Sequence, residues 1–224
     1  NVEVVTNIFG RADLLATLSI LLGGWCYIRA ANSHGGARLA WLAGACFNAL
    51  WGGFAKESAV IICPFVMLYD LIWRWPGLPG PTFGKRCGQA FWEFFLKGWT
   101  AVLLPAMVMI GVFIWNKIHS PVFAQVFVDN PIARADTWFQ GRMTAIKVLG
   151  RYLALFVFPG TLSSDYSYNQ IPLYGMGSVW QDAQCWLALA VVVGLLGLAY
   201  GLRRTQPLLA WGIALIFAAQ ILTA

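Results

Sequence analysis

Gly10-Arg11-Ala12-Asp13-Leu14-Leu15-Ala16-Thr17-Leu18-Ser19-Ile20-Leu21-Leu22-Gly23-Gly24-Trp25-Cys26-Tyr27-Ile28-Arg29 sets the fold class of this chain. No Asp, Glu, Lys or Arg occurs between Asp13 and Arg29. About 20 apolar residues in a helix cross the hydrocarbon of a bilayer, so residues 11–30 are expected to span one. Working outward, residues 39–55, 58–74, 98–116, 183–202 and 206–224 read the same way. The second is rich in small residues, with Gly44, Ala45, Gly52 and Gly53 suited to close helix contact. The third contains Pro64, expected as a tolerated kink. Composition agrees: 59% of the chain is hydrophobic, 11% is charged and its mean hydropathy is +0.67. Soluble domains average about 25% charged residues. An ordinary cytosolic protein and a disordered chain are both excluded. The expected fold is all-α, a polytopic transmembrane helical bundle of about six spans.

Basic residues orient those spans. Arg29 and Arg38 flank the first short loop; Arg74, Lys85, Arg86 and Lys97 surround the loop between the third and fourth spans; Arg203 and Arg204 separate the last two. Cytoplasmic loops collect Lys and Arg, so all three loops are expected in the cytoplasm. Alternation then places the start of the first span, the 55–58 turn and the stretch 117–182 outside. The expected organisation is one domain: 1–116 with four spans, 117–182 as an outer region, and 183–224 with two spans. The apolar segment 144–160 is interrupted by Lys147 and Arg151, and is expected as an interfacial or re-entrant helix. The two basic residues are four apart and so share a helix face. That face either meets lipid phosphate or anchors by snorkelling. The chain begins at Asn1 and ends within an apolar run, as a piece of a longer protein would.

The net charge of +6 does not point to nucleic acid, because the basic residues are spread among loops. The five cysteines form no C-x-x-C pair and only His34 and His119 are present, so neither a disulfide framework nor a metal site is expected. No P-loop, Rossmann glycine pattern, nucleophile motif or H-E-x-x-H occurs.

Polar groups gather on the expected outer side. Arg11 and Asp13 open the first span, either as a paired helix end or with Arg11 binding an anionic headgroup that Asp13 orients. Lys56 and Glu57 sit at the hinge of the second and third spans. They are either interfacial anchors or a compact phosphate site at a helix start. Asp129-Asn130-Pro131 is a turn signal first. Asp165, Tyr166, Tyr168 and Asn169 concentrate a carboxylate, two phenols and an amide, groups that bind sugar hydroxyls and that a wet loop also tolerates. Asp70 with Arg74, and Glu93 with Lys97, are i,i+4 pairs read as structural.

Several of these motifs together resemble a known family. Val4-Val5-Thr6-Asn7-Ile8-Phe9-Gly10-Arg11-Ala12-Asp13-Leu14-Leu15-Ala16 resembles a helix start in multi-pass O-mannosyltransferases that carry C-terminal tetratricopeptide repeats. Lys56-Glu57-Ser58 is similar to their Lys-Glu motif. Asp129-Asn130-Pro131, Arg151-Tyr152-Leu153 and Asp165-Tyr166-Ser167-Tyr168-Asn169-Gln170-Ile171-Pro172-Leu173 resemble their outer domain, in its bacterial form. The resemblance covers nearly the whole chain in motif order. It implies a GT-C fold and transfer of a sugar, mannose above all, from a polyprenyl-phosphate carrier to a protein hydroxyl outside the cytoplasm. It also implies a multi-pass protein of the bacterial cytoplasmic membrane, or of the endoplasmic reticulum membrane in a eukaryotic cell. The co-substrate would be the lipid-linked sugar, with no other cofactor. Arg11, Lys56, Lys147 and Arg151 would hold donor phosphate. Asp13, Glu57, Asp165, Tyr166, Tyr168 and Asn169 would meet sugar or acceptor. The family's catalytic acid lies in a first outer loop that would precede Asn1, and its repeats would follow Ala224, so no catalytic residue is assigned.

Two other readings compete. A transporter or flippase for an anionic lipid or solute predicts ionisable residues deep within spans. A membrane anchor for a repeat scaffold predicts that Arg11, Lys56 and Asp165 are dispensable.

Overall fold

The computed structural model describes residues 8–78, 83–119, 135–158 and 171–223. In chain order the helices are α1 (Ile8–Ala31), α2 (Gly35–Ala55), α3 (Ile62–Tyr69), α4 (Phe83–Ala90), α5 (Thr100–His119), α6 (Trp138–Val157), α7 (Val179–Leu202) and α8 (Pro207–Thr223). Among the described residues every regular element is helical. Two compact units form, residues 1–119 with 202–223, and residues 120–201.

In the first unit α1 and α2 make an antiparallel hairpin. Gly35 at its turn adopts φ +58, a left-handed conformation that favours glycine. The hairpin closes through small residues. A Cβ on Gly52 would stand 2.8 Å from the Ser19 Cβ and 2.9 Å from the Ala59 Cβ, so this position has no room for a side chain. Ala45, Ala49, Cys26 and Tyr27 of the hairpin meet Ile62, Cys63, Phe65 and Val66 of α3 and Val102 and Ala106 of α5 in one buried cluster. Trp211 of α8 covers that cluster: its Nε1 donates to the Phe65 carbonyl at 3.3 Å and its ring stands edge-on to Phe65. Large apolar side chains such as Leu14, Leu15, Leu18 and Leu21 point outward. So broad an apolar exterior suits contact with lipid.

Four helices among the described residues are long and apolar enough to cross a membrane: Arg11–Ala31, Glu57–Gly77, Gly84–Asn116 and Val179–Leu202. Six spans were expected. The second expected span is helical over Gly35–Ala55, but its glycines, Arg38 and Asn48 hold its hydropathy down. The last forms a shorter apolar helix, Pro207–Gln220. The third is not a kinked α-helix. A 3₁₀ turn (Glu57–Ile61) leads into α3, and Pro64 falls in the first turn of α3, where a missing N–H costs little. A π turn (Asp70–Arg74) follows, and a longer one (Phe91–Trp99) joins α4 to α5.

The basic loops converge at one end of the first unit. Arg38 Nη2 donates to the Lys97 carbonyl at 3.1 Å, beside the Lys97–Glu93 ion pair. Trp211, a few residues after Arg203 and Arg204, meets Trp73 beside Arg74. Trp25 and Trp41 pack edge to face near Arg29, and aromatic side chains at this level suit a membrane interface. Asp13 and Lys56 meet at the far end of the hairpin. On a background lacking native cysteines, Lys85→Cys and Arg203→Cys are expected to react with a membrane-impermeant thiol reagent from the cytoplasmic side. Glu57→Cys should react only from the opposite side. Labelling of Glu57→Cys and Arg203→Cys from one side would overturn this orientation.

In the second unit, α6 takes the place of the expected 144–160 helix and starts earlier. Both its helices begin on side-chain caps. Thr137 Oγ1 accepts from the Gln140 N–H at 3.2 Å while Gln140 Oε1 accepts from the Asp136 N–H. At the start of α7 the cap is a full capping box: Ser178 Oγ accepts from the Gln181 N–H and Gln181 Oε1 accepts from the Ser178 N–H. Gly150 lets α6 approach α7, since a Cβ there would collide with Ala188.

Candidate functional site

The far end of the α1–α2 hairpin brings together residues 43 positions apart: Lys56 Nζ lies 2.5 Å from Asp13 Oδ1. Their side chains are 37% and 49% exposed. Lys56 is held by its backbone rather than by its charge. It leaves the helix in an extended conformation, its N–H donates to the Gly52 carbonyl at 2.9 Å and its carbonyl accepts from the Ala59 N–H. Glycine at 52 keeps this corner tight, and the ammonium projects from a fixed stem. Glu57 is exposed in the following 3₁₀ turn. Arg11 is exposed at the start of α1 and forms no ion pair with the other described residues. Asp13 was read either as part of a paired helix end or as orienting a headgroup bound by Arg11; the structure pairs it with Lys56. Two positions apart on a helix put Arg11 and Asp13 on nearly opposite faces.

A second polar cluster lies at the basic-loop end. Asp70 is fully buried, and its carboxylate accepts from Tyr27 Oη at 2.5 Å, Trp99 Nε1 at 2.8 Å and Arg74 Nη1 at 2.9 Å. The Arg74 guanidinium also stacks over the Phe94 ring. The expected i,i+4 pair is present, and the structure adds Tyr27 and Trp99, which sequence spacing did not indicate. This carboxylate ties α1, the π turn that carries it and the π turn before α5. All its partners are protein groups.

In the second unit α6 and α7 hold the segment 171–178. Lys147 Nζ donates to the Pro172 carbonyl at 3.1 Å, Thr144 Oγ1 accepts from the Tyr174 N–H at 3.0 Å, and Gln140 Nε2 donates to the Tyr174 carbonyl at 2.9 Å. Asp182 Oδ1 accepts from the Gly175 N–H, where φ is +82. Leu173 is buried under this clasp. Lys147 and Arg151 were expected to share an outward basic face. The structure separates them: Lys147 is 6% exposed and used on the segment, while Arg151 is exposed. Gln140, Thr144 and Asp182 had not been singled out. The Thr137-x-x-Gln140 spacing was a readable signal for the first of them.

Asp165, Tyr166, Tyr168, Asn169 and the Asp129-Asn130-Pro131 turn lie outside the described residues. Among the described residues no group of three or more His, Cys, Asp or Glu gathers to hold a metal ion.

Residues 117–196 match the family model for Protein O-mannosyl-transferase TMTC, DUF1736. That stretch nearly coincides with the second unit. The similarity to curated proteins extends further. Protein O-mannosyl-transferase TMTC2 of Mus musculus is 29% identical over 215 residues, 90% of this chain and 24% of its own length. Its Homo sapiens counterpart is 29% identical over 88% of this chain and 23% of its own length. The Drosophila melanogaster Tmtc2 protein is 26% identical over 86% of this chain and 19% of its own. The chain thus spans about a quarter or less of the length of these relatives. No solved structure matches it.

Proposed function

We propose that this chain is part of the membrane domain of a GT-C-like glycosyltransferase. It would move mannose from a polyprenyl-phosphate carrier to a protein hydroxyl on the non-cytoplasmic face, and the complete protein would carry tetratricopeptide repeats. The observation that carries this reading is the similarity to relatives named O-mannosyltransferases, which runs through both units of the chain. The geometry supports it. Apolar helices long enough to cross a bilayer present a half-exposed ammonium, Lys56, where one expected span turns into the next.

The chemistry needs few groups. A carboxylate base takes the acceptor's hydroxyl proton, and the oxygen attacks the anomeric carbon. The bond from that carbon to the phosphate oxygen breaks, and polyprenyl phosphate leaves with added negative charge. A cation at the phosphate lowers the barrier by meeting that charge as it develops. Lys56 supplies such a cation in the first unit, with Arg11 exposed at the same end. In the second unit Arg151 is an exposed cation, as is Arg142, and its planar fork suits a phosphate group. Asp165, Tyr166, Tyr168 and Asn169 remain the proposed sugar contacts. The transporter reading gains no support, since the buried Asp70 has its carboxylate taken up by protein donors.

The test is transfer of labelled mannose from polyprenyl-phosphate mannose to protein by the full-length protein in detergent or proteoliposomes. Arg151→Lys separates a phosphate contact from an anchor. It is expected to lower transfer about tenfold if the guanidinium engages phosphate through two bonds, since Lys cannot reproduce the fork. Lys147→Arg should leave the donor dependence unchanged. Full activity in Arg151→Lys would make that end of α6 a lipid anchor. No transfer under any donor would return the chain to the scaffold reading.

A further inference from the structure

We infer that Asp13 holds the place of the donor phosphate on Lys56, so that donor binding exchanges one anion for another. The inference rests on the reading of Lys56 as a phosphate contact. An ammonium is a compact point charge, and a carboxylate oxygen and a phosphate oxygen compete for it on equal geometric terms. At 2.5 Å Asp13 already occupies that position.

Three features suit exchange rather than permanent pairing. Both side chains stand close to half exposed, so a headgroup reaches the ammonium without unpacking the hairpin. Such a pair contributes little to stability, so its loss leaves the fold intact. The Asp70–Arg74 pair of the same unit is the contrast, with its carboxylate fully buried and bonded on all sides. Both backbones are also independently fixed: Lys56 through Gly52 and Ala59, Asp13 within α1 with its carbonyl accepting from Thr17 Oγ1. Only side chains need to move.

The displaced carboxylate then stands beside the phosphate as a like charge. It weakens the hold on the doubly charged polyprenyl phosphate that remains after transfer, and its return to Lys56 helps expel that product. Asp13 is therefore a positioning residue that sets affinity and release.

Binding of farnesyl phosphate to the full-length protein in detergent tests this, with thermal melting of each variant as the folding control. Asp13→Asn is expected to bind about two- to fivefold more tightly, the factor set by a half-exposed pair. Lys56→Ala should bind about ten- to hundredfold more weakly. Adding Asp13→Asn to Lys56→Ala should gain less than Asp13→Asn does alone, because the like charge is still removed but no pair remains to be exchanged. An equal gain in both backgrounds would reduce Asp13 to a simple repulsive charge and overturn the exchange. Weaker or unchanged binding in a folded Asp13→Asn protein, with Lys56→Ala still impaired, would overturn the exchange and leave Lys56 as a phosphate contact. Unchanged binding in Lys56→Ala would remove the phosphate reading itself. Inorganic phosphate binding as tightly as farnesyl phosphate would overturn the assignment to a lipid.

Discussion

Asp70→Ala is expected to destabilise the first unit by about 3–5 kcal/mol, the usual cost of breaking a buried ion pair from one side. The substitution leaves the Arg74 guanidinium without its carboxylate, with Tyr27 Oη and Trp99 Nε1 losing their acceptor in the interior. The carboxylate joins α1 to both π turns, so its loss loosens several elements at once. The measurement is the midpoint of thermal unfolding in detergent, with yield of monodisperse protein beside it. Tyr27→Phe removes one donor and leaves the pair, and should cost about 1 kcal/mol. Equal stability of Asp70→Ala and wild type would show that the cluster contributes no net stability.

Lys56→Ala is expected to lower mannose transfer about ten- to hundredfold at limiting donor, corresponding to about 1.5–3 kcal/mol for a hydrogen bond to a charged group. The loss should appear mainly as weaker donor dependence, with protein level and melting point close to wild type, because the Lys56 side chain is half exposed and its backbone bonds persist. Lys56→Arg keeps the charge and should recover part of the rate. Unaltered donor dependence in Lys56→Ala would make Lys56 an interfacial anchor. The two substitutions thus separate by readout: one changes folding, the other changes chemistry.

Legibility differed sharply between elements. Long apolar runs were plain at 11–30 and 183–202, because crossing hydrocarbon demands a continuous apolar helix whatever it packs against. The grouping of Arg38, Arg74 and Lys97 at one end followed from charge alone and is visible in the first unit as the Arg38–Lys97 contact. Pairs at i,i+4, Asp70 with Arg74 and Glu93 with Lys97, were equally readable, because helix geometry fixes their distance. The π and 3₁₀ turns flanking α3 and preceding α5 were not readable. Apolar periodicity does not distinguish them from α-helix, and Pro64 fits the first turn of α3 as well as it fits a kink.

The amino-acid sequence by itself determined that this chain is helical and apolar and that the basic loops of the first unit share one end, since each property rests on local composition. Only the tertiary structure decided which polar groups meet. Asp13 and Lys56 touch because small residues close the α1–α2 hairpin, and Lys147 turns inward because 171–178 folds back across α6. Tyr27 and Trp99 converge on Asp70 from segments 43 and 29 residues away. Such contacts depend on how helices pack, a property of the whole unit that no stretch of sequence encodes alone.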